Sequence, residues 1–522
     1  MAQTPLPADP SPLTAPIGFL SVSEIRRRLR EGSTTSVQLV EAFLERIGEL
    51  DTAGPRLRAV LAVCPDAIEI ASRLDTERAQ GKTRGPLHGI PVLVKDNIDT
   101  TGSEGTTAGS LALRATRPKA DAVVVQRLRT AGAIVIGKSN LSEWANFRAE
   151  HSSSGWSAAG GQTLNPHALN RSPGGSSSGS GAGVAAGLAP FAVGTETDGS
   201  ILCPAALNGV VGIKPTVGIT SRTGVVPISF SQDTIGPLAR SVSDAAVLLG
   251  TLVSGHASID PRDPATARRP SPMPDDYAGF CDPNGLLGAR IGVPRQHYFG
   301  YSSAADSLAE AALAIAADGG AVIVNLANIA TAEAIAHSDD EETVLLHEFK
   351  AGINAYLATR PSAPGQPRSL AELVEFNNNH FADELCFFGQ DTLIAACAAG
   401  GLDDPVYLEA RGRNWQRARR DGIDAALKSA GAEVLAVPTI GPAWCIDHVN
   451  GDSHTRAGYQ VAAVAGYPAI SIPIGKAEGL PVGLSLVGRA WSEPTLIRIA
   501  FALEQRLALG DSMRPNWLER VG

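Results

Sequence analysis

Gly174-Gly-Ser-Ser-Ser-Gly-Ser-Gly-Ala-Gly-Val-Ala-Ala-Gly187 leads into Val193-Gly-Thr-Glu-Thr-Asp-Gly-Ser200 and then Ile213-Lys-Pro-Thr216. Taken alone, the first stretch has the composition of a flexible Gly/Ser linker. Its surroundings exclude that reading. An apolar helix is predicted at Val184–Leu188 and a strand at Phe191–Val193, so the segment lies inside a folded domain. Dense Gly and Ser there suit a backbone that turns sharply and presents N–H groups to a ligand.

Outward from this stretch, helical patterns alternate with short apolar runs, which indicates an α/β protein. Thr35 or Ser36 caps an amphipathic helix running to about Leu50, and Pro65 opens a second that Gly81 ends. Ile90-Pro-Val-Leu-Val94 reads as a short strand ending at Lys95. A helix over Asp121–Ala131 precedes a strand over Ala133–Ile136. Helix-then-strand pairs follow at 303–318 with 320–325 and at 408–430 with 433–437. Late strands at 468–473 and 482–487 precede a closing helix at 493–508. The Pro/Ser-rich breaks at 257–275 and 360–368 read as surface loops of one large domain spanning 21–510. Residues 1–20 read as a flexible arm and 511–522 as a tail.

Of the 522 residues, 44% are hydrophobic and 19% charged, ample material for a large core. Lys+Arg 44 against Asp+Glu 53 gives a net charge of −9. A nucleic-acid surface requires the opposite balance. No apolar run reaches the ~18 residues that span a bilayer, so no membrane partner is expected. Cys64, Cys203, Cys281, Cys386, Cys397 and Cys445 are widely spaced, which indicates reduced, mostly buried thiols and no zinc site. The Pro-rich start has no basic or apolar signal region, so a cytoplasmic location is expected, or a periplasmic or secreted one if a signal has been removed.

Two short motif matches fail on context. Gly132-Ala-Ile-Val-Ile-Gly-Lys-Ser139 satisfies the phosphate-loop spacing, but its intervening residues form the strand itself. Gly175-Ser-Ser-Ser-Gly179 satisfies the nucleophile-elbow spacing around Ser177, with His380, His448 or His454 as conceivable partners. Polar loop precedes it where an elbow needs a strand.

The long stretch resembles the amidase signature, and the likeness includes Lys95 in Gly89-Ile-Pro-Val-Leu-Val-Lys-Asp-Asn97. Within that family the chain is similar to the bacterial peptide amidases. That likeness is carried by Asn140-Leu-Ser-Glu-Trp-Ala-Asn-Phe-Arg148, Gly155-Trp-Ser157, Gly160-Gly-Gln-Thr163, Gly194–Gly218, Pro227–Thr234 and Ala465-Gly-Tyr-Pro468. It extends from about residue 20 to about 508. The resemblance implies a twisted mixed β-sheet covered by helices on both sides, with no metal and no cofactor. It also implies a relay in which Ser200 is the nucleophile, Ser176 a serine with a cis peptide bond, and Lys95 the base. Thr197, Asp198, Gly199 and Ser200 would present backbone N–H groups to the oxyanion.

These residue types match the chemistry. A serine hydroxyl attacks only when a base takes its proton, and lysine is a base only when burial has made it neutral. Three positions depart from the common family pattern: Asp198 and Ser178 each replace Gly, and Leu202 replaces Arg, so the usual Asp–Arg pairing beside the nucleophile is not expected in its common form. The implied activity is amide hydrolysis through an acyl-enzyme, with the C-terminal amide of a peptide as substrate and ammonia released. The alternatives are hydrolysis of aryl amides, carbamates or polyamide oligomers, and the catalytic subunit of a glutamine-dependent amidotransferase.

Overall fold

The computed structural model describes residues 17–253 and 259–516. Thirteen strands form among them: β1 (Val60–Val63), β2 (Pro91–Lys95), β3 (Ile134–Ser139), β4 (Trp156–Ser157), β5 (Gly161–Gln162), β6 (Phe191–Glu196), β7 (Val211–Lys214), β8 (Thr234–Ala239), β9 (Arg290–Val293), β10 (Val322–Asn325), β11 (Val434–Pro438), β12 (Ala469–Ala477) and β13 (Leu480–Val487). β4 and β5 pair with each other. The other eleven make one mixed sheet in the order β1-β3-β2-β6-β8-β7-β12-β13-β11-β9-β10. β3, β2 and β6 run parallel, as do β11, β9 and β10, while the strands between these groups are antiparallel.

Side-chain alternation divides the core between the two faces. Val434, Ala436, Ile470, Ile472, Leu484 and Leu486 enter one core, with the helices Val242–Val253, Ser303–Asp318 and Glu493–Leu507. Their neighbours Leu435, Val437, Ala469 and Val487 enter the other, with Leu202–Asn208, Asp424–Ala430 and Gln460–Ala465. β2, β3 and β6 are buried along their whole length, which is why their sequences read as runs and not alternations. A third cluster holds Trp144, Ile228, Phe349, Ile353 and Leu373. There the helices Asp340–Thr359 and Leu370–Asn379, inserted between β10 and β11, pack on the loops after β2 and β3 and before β8. The molecule is a single large α/β domain with the fold expected from the family resemblance.

Local expectations hold where capping and periodicity agree. The side chain of Thr35 accepts from Gln38 N–H (3.1 Å) and that of Gln38 accepts from Thr35 N–H (3.0 Å), starting the helix Ser36–Arg46. The expected helix at Val184–Leu188 is instead Ser178–Ala185, because the Gly/Ser stretch is itself helical. The strand expected over Ala133–Ile136 runs on through Gly137, Lys138 and Ser139. Its polar end does not stop it, since Lys138 Nζ donates to Ile98 O (2.6 Å) and Thr106 Oγ1 (3.0 Å) beneath the surface. The phosphate-loop spacing is therefore strand from Ile134 to Ser139. The expected helix at 408–430 is three pieces, with a wide turn over Gln416–Ile423 between Pro405–Trp415 and Asp424–Ala430.

All six cysteines are free, but only Cys64 and Cys203 are buried, and Cys386 and Cys445 are exposed. Of the expected arm, residues 1–16 lie outside the described residues, while Gly18 and Leu20 are already buried. Of the expected tail, 517–522 lie outside them, and Met513 is buried. Among the described residues no helix is long and apolar enough to cross a membrane.

Candidate active site

β2 and β6 are parallel neighbours, with Leu93 opposite Ala192 and Val94 opposite Val193. Lys95, the last residue of β2, therefore lies beside the end of β6, and the turn that follows β6 carries Ser200. The helix Ser178–Ala185 packs tightly against this corner. A Cβ on Gly179 would lie 2.1 Å from Ala59 O and 2.6 Å from Asn140 N, so a larger residue would force the helix away. The Gly/Ser density of the opening stretch has this packing as one cause.

Lys95 Nζ lies 2.8 Å from Ser176 Oγ, 2.9 Å from Thr195 Oγ1 and 3.2 Å from Thr195 O. Asn97 Nδ2 also donates to Thr195 Oγ1 (2.9 Å). Both Lys95 and Ser176 are 0% exposed. Burial lowers the Lys95 pKa to about 7, against the opposing pull of the Glu196 and Asp233 charges. A neutral amine has two N–H donors and one lone pair. Thr195 O can only accept, and Thr195 Oγ1 is placed to take the second N–H. The lone pair is then left for the Ser176 hydroxyl.

The Gly175–Ser176 peptide bond is cis. Ser142 N–H donates to Ser176 O (3.1 Å), and Ser177 N–H donates to Ser200 O (3.0 Å), which ties the two serine segments together. Ser200 opens onto a cavity of about 670 Å3, whose lining also includes Thr197, Asp198, Phe147, Trp444 and Tyr459.

The turn over 197–200 is braced from several sides. Gly199 has φ +76° and sits under the Tyr459 ring, where a Cβ would come within 2.3 Å. Thr197 Oγ1 donates to Asp233 Oδ1 (2.6 Å). Asp233 Oδ2 accepts from Ile228 and Ser229 N–H, both at 2.9 Å. Burial pushes the Asp233 carboxyl up to about 6. Glu196 braces the other side of the turn. Its Oε2 accepts from Ile201 N–H (2.7 Å) and Leu202 N–H (2.9 Å), so the side chain caps the backbone just after Ser200.

The structure brings Lys95 Nζ against Ser176 Oγ, and Thr197, Asp198 and Ser200 line the cavity. It leaves the elbow residues apart. Ser177 Oγ is buried and donates to Thr195 O (3.0 Å). His380 binds Phe376 O, His448 binds Gln162 Oε1 and His454 binds Thr455 O. Sequence reasoning missed Asn97, Thr195, Asp233 and Glu341. Asn97 and Thr195 stand within quoted motifs, but nothing local signals that they meet at Lys95.

The Amidase family model matches residues 38–497. The chain belongs to the amidase family. This amidase is an enzyme that hydrolyses amides. It is similar to the native peptide amidase of Stenotrophomonas maltophilia, with 50% identity and a TM-score of 0.88, covering 94% of this chain and 97% of that one. A second peptide amidase structure, in complex with the competitive inhibitor chymostatin, is also 50% identical, with a TM-score of 0.90 and coverage of 95% and 99%. A glutamyl-tRNA(Gln) amidotransferase subunit from Anaeromyxobacter dehalogenans is 38% identical over 505 residues, 91% of this chain and 93% of that protein.

Proposed function

We propose that this amidase removes the C-terminal amide of peptides with a Ser200–Ser176–Lys95 relay. The observation that carries the reading is the 2.8 Å contact between a buried Lys95 Nζ and Ser176 Oγ, at a lysine whose pKa lies at about 7. Ser200 Oγ attacks the carboxamide carbon. Its proton passes to Ser176 Oγ as the Ser176 proton passes to Lys95 Nζ. Negative charge develops on the carbonyl oxygen and is received by backbone N–H groups of Thr197, Asp198, Gly199 and Ser200. The C–N bond then breaks, the relay returns the proton to nitrogen, and ammonia leaves. Water then attacks the Ser200 ester, giving its proton to the same relay, which returns one to Ser200 Oγ as the ester C–O bond breaks and the peptide carboxylate is released.

The 50% identity to two peptide amidase structures supports the substrate class. The likeness to an amidotransferase component favours a second reading, ammonia production from glutamine. An ammonia-release assay across amidated dipeptides, glutamine, anilides and carbamates separates them. Rapid turnover of amidated dipeptides with internal peptide bonds spared is expected. Turnover of glutamine or anilides with amidated dipeptides ignored overturns the substrate assignment. A fluorophosphonate is expected to label Ser200, and a label on Ser177 overturns the nucleophile.

A further inference from the structure

Asp198 stands within the turn that carries the proposed oxyanion donors, and the residue is part of the cavity lining. Its Oδ1 is buried, and among the described residues no N–H or O–H group reaches it. What does reach the Asp198 carboxyl is a second carboxyl, that of Glu341. Glu341 is well supplied with donors. Gln232 Nε2 donates to its Oε1 (2.8 Å) and Gln460 Nε2 donates to its Oε2 (3.1 Å). It is also the second residue of the helix Asp340–Thr359, where the helix dipole favours an anion. Two touching carboxylates cannot both ionise cheaply, and the one without donors takes the proton.

We propose that Asp198 and Glu341 hold one proton between them, carried by Asp198. The resulting hydrogen bond makes both positioning residues that fix the oxyanion turn against the helix Asp340–Thr359. The idea rests on the role proposed above for residues 197–200. Gln232 extends the same brace by donating to Thr197 O (3.3 Å). With its proton, Asp198 keeps negative charge away from the place where the substrate oxygen becomes negative. Without it, two carboxylates repel across the turn and a full charge stands beside the oxyanion.

The charged and titratable groups facing Asp198 come from every side. They are Glu341, Glu196 at the end of β6, Lys214 at the end of β7, and the Tyr459 phenol. Burial, with the Glu341 and Glu196 charges, pushes the Asp198 carboxyl well up, and Lys214 opposes them. The shared proton is lost as pH rises, so kcat falls on the alkaline side. Lys95 contributes no such limb, because raising pH only frees its lone pair.

The test is kcat against pH on an amidated dipeptide, with fluorophosphonate labelling of Ser200 in parallel. The wild-type enzyme is expected to show an alkaline limb. Asp198→Asn abolishes the limb whatever its plateau, because an amide donates to Glu341 at every pH and carries no charge. Glu341→Gln moves the limb to lower pH by at least about one unit, since the charge that held the Asp198 proton is gone. A wild-type enzyme labelled on Ser200 but lacking an alkaline limb overturns the shared proton and leaves the serine relay standing. An Asp198→Asn enzyme with an unmoved limb does the same. Failure of wild-type Ser200 to take the label overturns the relay itself, and this inference with it.

Discussion

Lys95 and Lys138 stand at the ends of neighbouring parallel strands, with Val94 opposite Lys138 and Lys95 opposite Ser139. Both are 0% exposed. Their partners differ. Lys138 Nζ has the carboxylate of Asp96 at 3.5 Å and donates to Ile98 O, Gly105 O, Thr100 Oγ1 and Thr106 Oγ1. Among the described residues, Lys95 Nζ meets only the oxygens of Ser176 and Thr195. A buried cation matched by an anion and by carbonyls is an anchor, and here it clamps the loop that follows β2. A buried amine with no carboxylate in contact gives up its proton cheaply. Depth of burial does not separate these two lysines, but a carboxylate at close range does.

The comparison breaks most visibly at Lys95. Lys95→Ala is expected to lower kcat/KM by at least ~10³-fold in the ammonia-release assay. Lys95→Arg does not restore activity, because arginine stays protonated at any workable pH. An active Lys95→Arg enzyme with an unchanged pH profile removes the distinction between the two lysines.

Lys138→Met tests the other half. It keeps the stem and deletes the charge, leaving Asp96 buried beside no cation. Breaking a buried pair in this way costs about 3–5 kcal/mol, read from denaturant unfolding. Adding Asp96→Asn recovers part of the loss. A Lys138→Met protein as stable as wild type shows that the ion pair is not an anchor.

The pH profile sharpens the contrast without a mutation. Protonating Lys95 removes the lone pair that faces Ser176, so kcat/KM falls as pH drops. The midpoint is expected at about 7, far below the ordinary lysine range. An acid limb centred near 4 instead assigns the base to a carboxylate.

The smallest expected effect is at Thr195. Thr195→Val keeps the shape and removes the hydroxyl that accepts from both Lys95 and Asn97. Losing one such hydrogen bond is worth about 1 kcal/mol, so kcat is expected to fall about fivefold to tenfold with KM little changed. An equal fall in kcat/KM carried by KM alone places Thr195 in binding and not in orienting the amine.

The contrast between the two lysines also marks what the sequence could disclose. Lys95, Ser176 and Ser200 stand in long continuous motifs, so a resemblance picks them out together. Gly132–Ser139 showed the reverse. A short spacing suggested phosphate binding, and the apolar residues between its glycines marked it as a strand. The strand's true end at Ser139 was hidden, because Lys138 looks like a terminator until its oxygen partners are placed around it. Glu341 was beyond reach for a different reason. It meets Asp198 only because a helix inserted between β10 and β11 folds back over the loops around β2 and β6, and no local pattern encodes that meeting. The helical insert was the least legible part of the fold, since its apolar side chains pack on loops instead of on the sheet.

The buried place of Lys95 has one more consequence. A neutral amine is itself a nucleophile, and toward an ester it competes well with water. Were Nζ beside Ser200, the acyl group would migrate from oxygen to nitrogen and remain there as an unreactive amide. Ser200 opens onto the cavity, whereas Lys95 is wholly enclosed, with Ser176 Oγ against its Nζ. In the proposed relay the intervening serine is then a spacer as well as a proton carrier: it lets a proton through to the amine and keeps the carbon out. Without that separation the catalyst would acylate itself and stop after a single turnover.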